Sequence, residues 1–229
     1  MEIKKSAIPY VGYTYQTLHG VLILASWLNN PTAYKRICFE ADQDDIAQGI
    51  DDIVIERQDD KIDYIQVKFT PSPYKEENSF SWDWLLTKSG KTARSRSILK
   101  KIFDAVQEVE AEKMGDITLL TNKIPNHEIE NCLKDGKIIY DLIDQNIQAE
   151  IKLQLGSEHL ARTFFETLDV KDTQKNYMEL SREVRTELEK HSKIEDIDRL
   201  IVRAGEWAKF KNYPTENGWI ELHHIREVL

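Results

Sequence analysis

The sequence predicts an α/β protein in which a mixed sheet flanked by helices carries a mostly helical C-terminal half. Three observations lead there. Over roughly the first 120 residues, stretches with the two-residue period of strands alternate with stretches of 3.6-residue period. The run Asp116 to Thr121 is continuously apolar at its centre and bounded by Gly115 and Asn122, as a buried strand is. Beyond Asn122 the chain turns to long, charged, helix-prone segments.

The elements follow in order. Thr14 to Asn30 places Leu18, Val21, Leu22, Ala25 and Leu28 at helical spacing and stops at Asn30-Pro31. Arg36 to Asp42 alternates, with Ile37, Phe39 and Ala41 on one side and Cys38, Glu40 and Asp42 on the other. Ile53 to Glu56 and Ile62 to Phe69 are two further strands, joined by the polar Gln58-Asp59-Asp60-Lys61 as a hairpin is. Past Pro71 and Pro73, a short aromatic helix over Phe80 to Thr87 precedes a long amphipathic one over Thr92 to Lys113. A helix leading into Asp116–Thr121 makes that strand parallel to its neighbour. Helices are expected over His127–Leu133, Ile138–Leu155, Ser157–Thr167, Thr173–Lys190, Glu195–Phe210 and Ile220–Leu229. The division expected is a core at residues 1–122 and a helical extension at 123–229. The pattern of the last helix is still running at Leu229, as in a chain cut before a further domain.

Composition narrows the function classes. The chain has 229 residues, 31 Lys or Arg against 40 Asp or Glu, and a net charge of −9, which suits one or two compact domains at about 100–200 residues each. No apolar run approaches the ~20 residues of a membrane span. Cys38 and Cys132 stand alone, excluding a disulfide framework or a zinc ribbon and fitting a reducing cytoplasm. The acidity is uneven. Acids crowd the stretch Glu40 to Asp63, whereas Leu86 to Lys101 holds Lys88, Lys91, Arg94, Arg96, Lys100 and Lys101 with no acid among them. Such a run can meet a phosphate backbone, or form a solvated helix face.

One constellation carries chemistry. On a strand, residues two apart point the same way, so Gln66 and Lys68 in Ile65-Gln66-Val67-Lys68-Phe69 are aimed together. Asp51 and Asp52 open the preceding strand at the same sheet edge, and Glu40 lies on the strand before that. Carboxylates beside a lysine are what cation-assisted phosphodiester hydrolysis needs: oxygen ligands and a positive group near the attacking water. Tyr10, Tyr13 and Tyr15 are expected to pack around the first helix, and Trp82 and Trp84 to anchor a core.

An acid at the head of a strand, a short loop, then Gln66-Val67-Lys68 resembles the PD-(D/E)XK nuclease superfamily. Gly12-Tyr13-Thr14-Tyr15-Gln16, Phe39-Glu40, Gly49-Ile50-Asp51-Asp52-Ile53 and Ile65-Gln66-Val67-Lys68 together resemble, over about residues 10–125, the N-terminal nuclease domain of bacterial antiphage effectors. These are the double-stranded DNA endonucleases of CBASS signalling, with related domains in Lamassu and Avs systems. The resemblance implies a restriction-endonuclease-like fold and a metal-dependent endonuclease acting on double-stranded DNA. Asp52 would be the main metal ligand, with Asp51 its rival, and Gln66 and Glu40 would complete the shell for Mg²⁺, or Mn²⁺ in its place. Lys68 would position or activate the nucleophile, and Gln16 would hold the site from the helix. Gln66 replaces the superfamily's commoner acid, which makes Glu40 more necessary. The resemblance also implies a homo-oligomer and a sensor or oligomerisation domain or subunit of a defence system. The rival reading is a nucleic-acid- or protein-binding module on a decayed nuclease fold, and a helical oligomerisation adaptor could coexist with either.

Overall fold

The computed structural model describes residues 3–41, 50–88, 90 and 95–229. Its centre is a five-stranded sheet of β1 (Tyr34–Phe39), β2 (Ile53–Arg57), β3 (Ile62–Lys68), β4 (Met114–Thr121) and β7 (Leu168–Lys171), in that spatial order. β1–β2 and β2–β3 pair antiparallel, while β3–β4 and β4–β7 pair parallel. The parallel strand expected after a helix is therefore present, and the sheet is mixed.

Helices cover both faces. On one side lie α2 (Trp82–Leu86), α3 (Ile98–Glu108), α4 (His127–Cys132), α5 (Gln145–Leu155) and α6 (Glu158–Thr167). They bury Trp82, Leu99, Ile129, Ile151 and Phe165 against Cys38, Val54, Tyr64, Leu119 and Val170 of the strands. On the other side lie α1 (Ile8–Asn29), α7 (Tyr177–Leu188), α8 (Ile194–Trp207) and α9 (Leu222–Val228). They bury Leu24, Val184, Leu200 and Ile225 against Ile37, Phe39, Ile53 and Val67. Each apolar cluster draws residues from both sides of position 122. Between α4 and α5, β5 (Leu133–Lys134) and β6 (Lys137–Ile138) form a small hairpin. Among the described residues, no helix is long and apolar enough to cross a membrane.

Several elements depart from the sequence expectations for local reasons. α1 starts at Ile8 rather than Thr14, with a proline in its first turn, where the missing N–H costs nothing. Gly20 lets it seat closely: a Cβ there would stand 2.5 Å from the Phe39 ring. β1 ends at Phe39, and Cys38 is as buried as its neighbours because helices cover both faces of the strand. Ala41 joins the cluster of Cys38 rather than that of Phe39, since a left-handed Glu40 (φ 45°) breaks the pleat. Asp42 lies outside the described residues. The long helix shortens to α3, capped by the Ser97 hydroxyl, which accepts from the Lys100 N–H at 3.1 Å. The helix expected from Ile138 begins only at Gln145, where Asp144 caps it. β7 lies between the helices expected over Ser157–Thr167 and Thr173–Lys190.

Candidate nuclease centre

The antiparallel register sets Ile53 opposite Ile65, so Asp52, one residue before β2, comes to Gln66. The Asp52 carboxylate is almost wholly buried. Its Oδ2 accepts from the Gln66 side-chain amide and from the Val67 backbone N–H at 2.6 Å. The Lys68 ammonium stands 3.8 Å from the same oxygen, and the Gln16 side chain, from α1, also bonds to the carboxylate. Three hydrogen-bond donors and a nearby ammonium fix the orientation of this buried group. Asp52 is thus an acid that meets Gln66, Val67 and Lys68.

Glu40 completes the cluster. Its N–H donates to the Asp52 carbonyl at 3.0 Å, and the Ala41 N–H donates to the Asp51 carbonyl at 2.9 Å, extending the β1–β2 ladder past both strand ends. These bonds hold Glu40 in its left-handed conformation, a cost of about 1–3 kcal/mol for a residue with a side chain. Burial pushes its carboxyl up to about 7, and the charges of Asp52 and Asp51 push the same way against Lys68. Burial also raises the Asp52 carboxyl, opposed by Lys68, the Val67 N–H and Gln16. The charges of Asp52 and Asp51 oppose the ionisation of Glu40, and a hard cation between Asp52 and Glu40 would relieve that opposition. Among the described residues, no three Asp, Glu, His or Cys side chains gather to hold a metal. The oxygen donors here are two carboxylates and one amide, and a half-turn of the Gln66 amide would present its oxygen.

The structure thus brings together Asp52, Gln66, Lys68, Glu40 and Gln16. The basic run fares differently. Lys91 and Arg94 lie outside the described residues, and Lys88 is exposed. Arg96 and Lys100 each pair with Asp104 at 2.8 Å. That acid lies three residues beyond the acid-free window, one helical turn from Lys100, so the two charges are partly compensated. Lys101 follows Lys100 on α3.

Two features escaped the sequence reading. Tyr15 is fully buried, its hydroxyl donating to the Lys175 carbonyl at 2.8 Å, but Tyr10 and Tyr13 are 70% and 63% exposed and do not pack around the helix. Lys123 is buried two residues past the end of β4, whose Thr121 pairs with Lys68. Its ammonium donates to the Asn78 carbonyl at 2.5 Å and lies 5.0 Å from the Trp84 ring centre, and burial lowers its pKa to about 8. The Thr-Asn-Lys that ends an apolar strand run at the Lys68 edge was the available signal. Asn122 clamps that edge, exchanging hydrogen bonds of 2.8 and 2.7 Å with the backbone of Thr70.

A search among curated proteins returned no match for this chain. The family described as the Cap4 dsDNA endonuclease domain matches residues 7–200. That span takes in α1 with Gln16, the strands with Asp52, Gln66 and Lys68, and the C-terminal helices through the first half of α8. It supports a double-stranded DNA endonuclease of antiphage defence. The chain belongs to the Cap4 dsDNA endonuclease domain family.

Proposed function

We propose that this domain hydrolyses phosphodiester bonds of double-stranded DNA at the Asp52, Glu40, Gln66 and Lys68 cluster with the help of Mg²⁺. The observation that carries the reading is the Lys68 ammonium 3.8 Å from a buried, multiply bonded Asp52 carboxylate, with the raised acid Glu40 beside it. Asp52 and Glu40 would hold the cation, joined by the amide oxygen of Gln66. A bound Mg²⁺ would polarise a phosphate oxygen and lower the pKa of a water. Lys68 orients the attacking water and offsets the charge that grows on the phosphate. Val67 and Gln16 keep Asp52 from turning away, which preserves the geometry without touching substrate. Lys88, Lys91, Arg94, Arg96, Lys100 and Lys101 are assigned to the DNA backbone, the contact that positions a duplex without reading it. Cys38 and Cys132 are buried and no disulfide joins them, which supports a reducing cytoplasmic setting. Activity as a homo-oligomer, joined to a sensor or oligomerisation partner, belongs to the same reading.

The test is cleavage of plasmid in Mg²⁺, Mn²⁺, Ca²⁺ and EDTA by the wild type, Glu40→Gln and Lys68→Ala, alongside melting temperatures with and without Mg²⁺. Cleavage should need Mg²⁺ or Mn²⁺ and fail in both variants. Mg²⁺ should raise the melting temperature of the wild type more than that of Glu40→Gln. Unchanged cutting in EDTA would overturn the metal role. DNA binding without cutting under every condition would point to a decayed site.

A further inference from the structure

The exposed face of α1 opens on a groove beside the nuclease cluster. The groove has a cavity volume of about 510 Å³ and runs between the first turns of α1 and the end of α8. Tyr10 and Tyr13 stand at its rim, three residues apart and so on one stripe of the helix, and Val202, 64% exposed, faces it from α8. Glu40 lines it too, so the groove and the cluster share a wall. Gln16, the α1 residue that reaches Asp52, is flanked by Tyr13 and Thr17 of the groove.

We propose that this groove receives one nucleobase of the cut strand, unstacked beside the scissile phosphate, with Tyr13 and Tyr10 as its stacking surface. The inference rests on the reading of the Asp52 and Lys68 cluster as the DNA-cutting centre. The chemistry of the lining selects the occupant. The Thr14 and Thr17 hydroxyls donate back to the Tyr10 and Tyr13 carbonyls at 2.9 and 3.0 Å, so they offer acceptors rather than donors to a ligand. Glu40 brings no positive charge to a phosphate, and among the described lining residues Lys209 brings a single cation. A phosphate backbone is therefore poorly served inside the groove and well served at Lys68. A flat, uncharged ring is well served between aromatic and aliphatic walls. The volume falls within the range of small-ligand sites, about 300–1,000 Å³. An apolar helix of a partner protein would also cover such a surface. Continuity with the nuclease cluster through Glu40 favours the nucleobase.

The test uses the whole chain in Ca²⁺, which removes cleavage from the binding measurement. Fluorescence anisotropy compares a homothymidylate oligonucleotide with an abasic oligonucleotide of the same length and charge. Base stacking on aromatic side chains is worth about 1–3 kcal/mol. The wild type should therefore prefer the base-bearing strand by about fivefold or more. The doubly substituted Tyr10→Ala, Tyr13→Ala protein should lose that preference while binding the abasic strand as before, and Tyr10→Phe, Tyr13→Phe should retain it. Equal binding of the two strands by the wild type, no binding of either, or an undiminished preference in the alanine variant would each overturn the proposal. In the first of these cases the groove is left to a protein partner. Plasmid cutting by the same wild-type preparation in Mg²⁺ scores the parent reading separately. Cutting without strand preference sinks the groove alone, whereas a tyrosine-dependent preference without cutting sinks the cleavage centre and, with it, the placement of the base beside a scissile phosphate.

Discussion

The Lys68 ammonium stands 3.8 Å from Oδ2 of Asp52, on an oxygen that also accepts from the Gln66 amide and the Val67 N–H. Lys68 is partly exposed at the sheet edge while Asp52 is enclosed. Asp52 therefore contributes to the fold as well as to the site, and the two residues respond differently to substitution.

Lys68→Ala removes a half-exposed side chain and leaves the Asp52 carboxylate with its hydrogen-bond donors. It should lower the cleavage rate by about a hundredfold or more, the scale on which loss of a group acting on the transition state is felt, with a melting temperature near that of the wild type. Asp52→Ala should be less clean. It strips the acceptor from buried donors at about 1–3 kcal/mol for each group left unsatisfied, so loss of cutting would come with loss of stability. Asp52→Asn keeps an acceptor and is the better probe of charge. Paired cleavage and denaturation curves for the three variants check this. A Lys68→Ala protein that cuts at the wild-type rate would remove Lys68 from the site.

The core holds a second titratable group with a signed consequence. His19 is buried on α1, its Nε2 has no hydrogen-bond partner among the described residues, and burial lowers its pKa to about 4. The Tyr15 ring meets it edge-on at 4.6 Å. Asp63, Asp116, Lys171, Lys175 and Glu183 line the same cavity from the sheet and from α7. Asp63 and Asp116 are paired with Arg57, and Lys175 with Glu183. The imidazole therefore stays neutral in the fold. Between pH about 6.5 and about 4 the unfolded chain binds a proton that the folded chain does not, so stability falls as pH falls. The contribution is at most about 3 kcal/mol, from the 6.5 and about 4 values. Urea midpoints across this window should fall more steeply for the wild type than for His19→Gln. Parallel curves would show that His19 does not titrate in this way.

Asp104 holds both Arg96 and Lys100 at 2.8 Å and tempers the basic run. Asp104→Asn should release Lys100 and loosen Arg96 for phosphate contact, tightening binding to duplexes of any sequence and steepening the salt slope by about 1. Lys88→Glu should weaken binding equally across sequences. Affinities measured over a salt series decide both, and an Asp104→Asn protein with the wild-type slope would show that Arg96 and Lys100 do not reach DNA.

What the sequence could disclose follows from which forces are local. β2, β3 and β4 were legible because their apolar residues repeat with a strand's period and polar turns bound them. The convergence of Asp52, Gln66 and Lys68 was legible because period and hairpin register together dictate it. β7 was not, since four residues between two helices carry too little pattern and its pairing with β4 is long-range. The compensation by Asp104 was missed because the i, i+4 partner of Lys100 lies outside a linear window of charge. The exposure of Tyr10 and Tyr13 was hidden for another reason. α1 is apolar on most of its circumference, so its pattern does not show which stripe α7 and α8 leave open.

The last prediction concerns how the activity depends on concentration. Cutting a duplex through requires hydrolysis in two strands of opposite polarity, and each chain presents one cluster of Asp52, Glu40, Gln66 and Lys68. A single domain bound in one orientation reaches one strand. To break the other it must dissociate and rebind turned around, or a second copy must occupy the opposite strand. Two-fold association satisfies the second route, because a dyad between copies matches the dyad of the duplex. Assembly follows mass action, so the fraction of paired domains rises with concentration until it saturates. The rate of double-strand breakage should therefore climb more steeply than the first power of protein concentration at low concentration, while nicking climbs linearly. Fusing the domain to an inducible dimeriser should raise breakage at fixed concentration without changing nicking per chain, since effective concentration rises and the cluster is untouched. Gel quantification of nicked and linear plasmid over a dilution series, paired with light scattering, checks both. If linear product rises only in proportion to a strictly monomeric protein, each domain breaks both strands unaided.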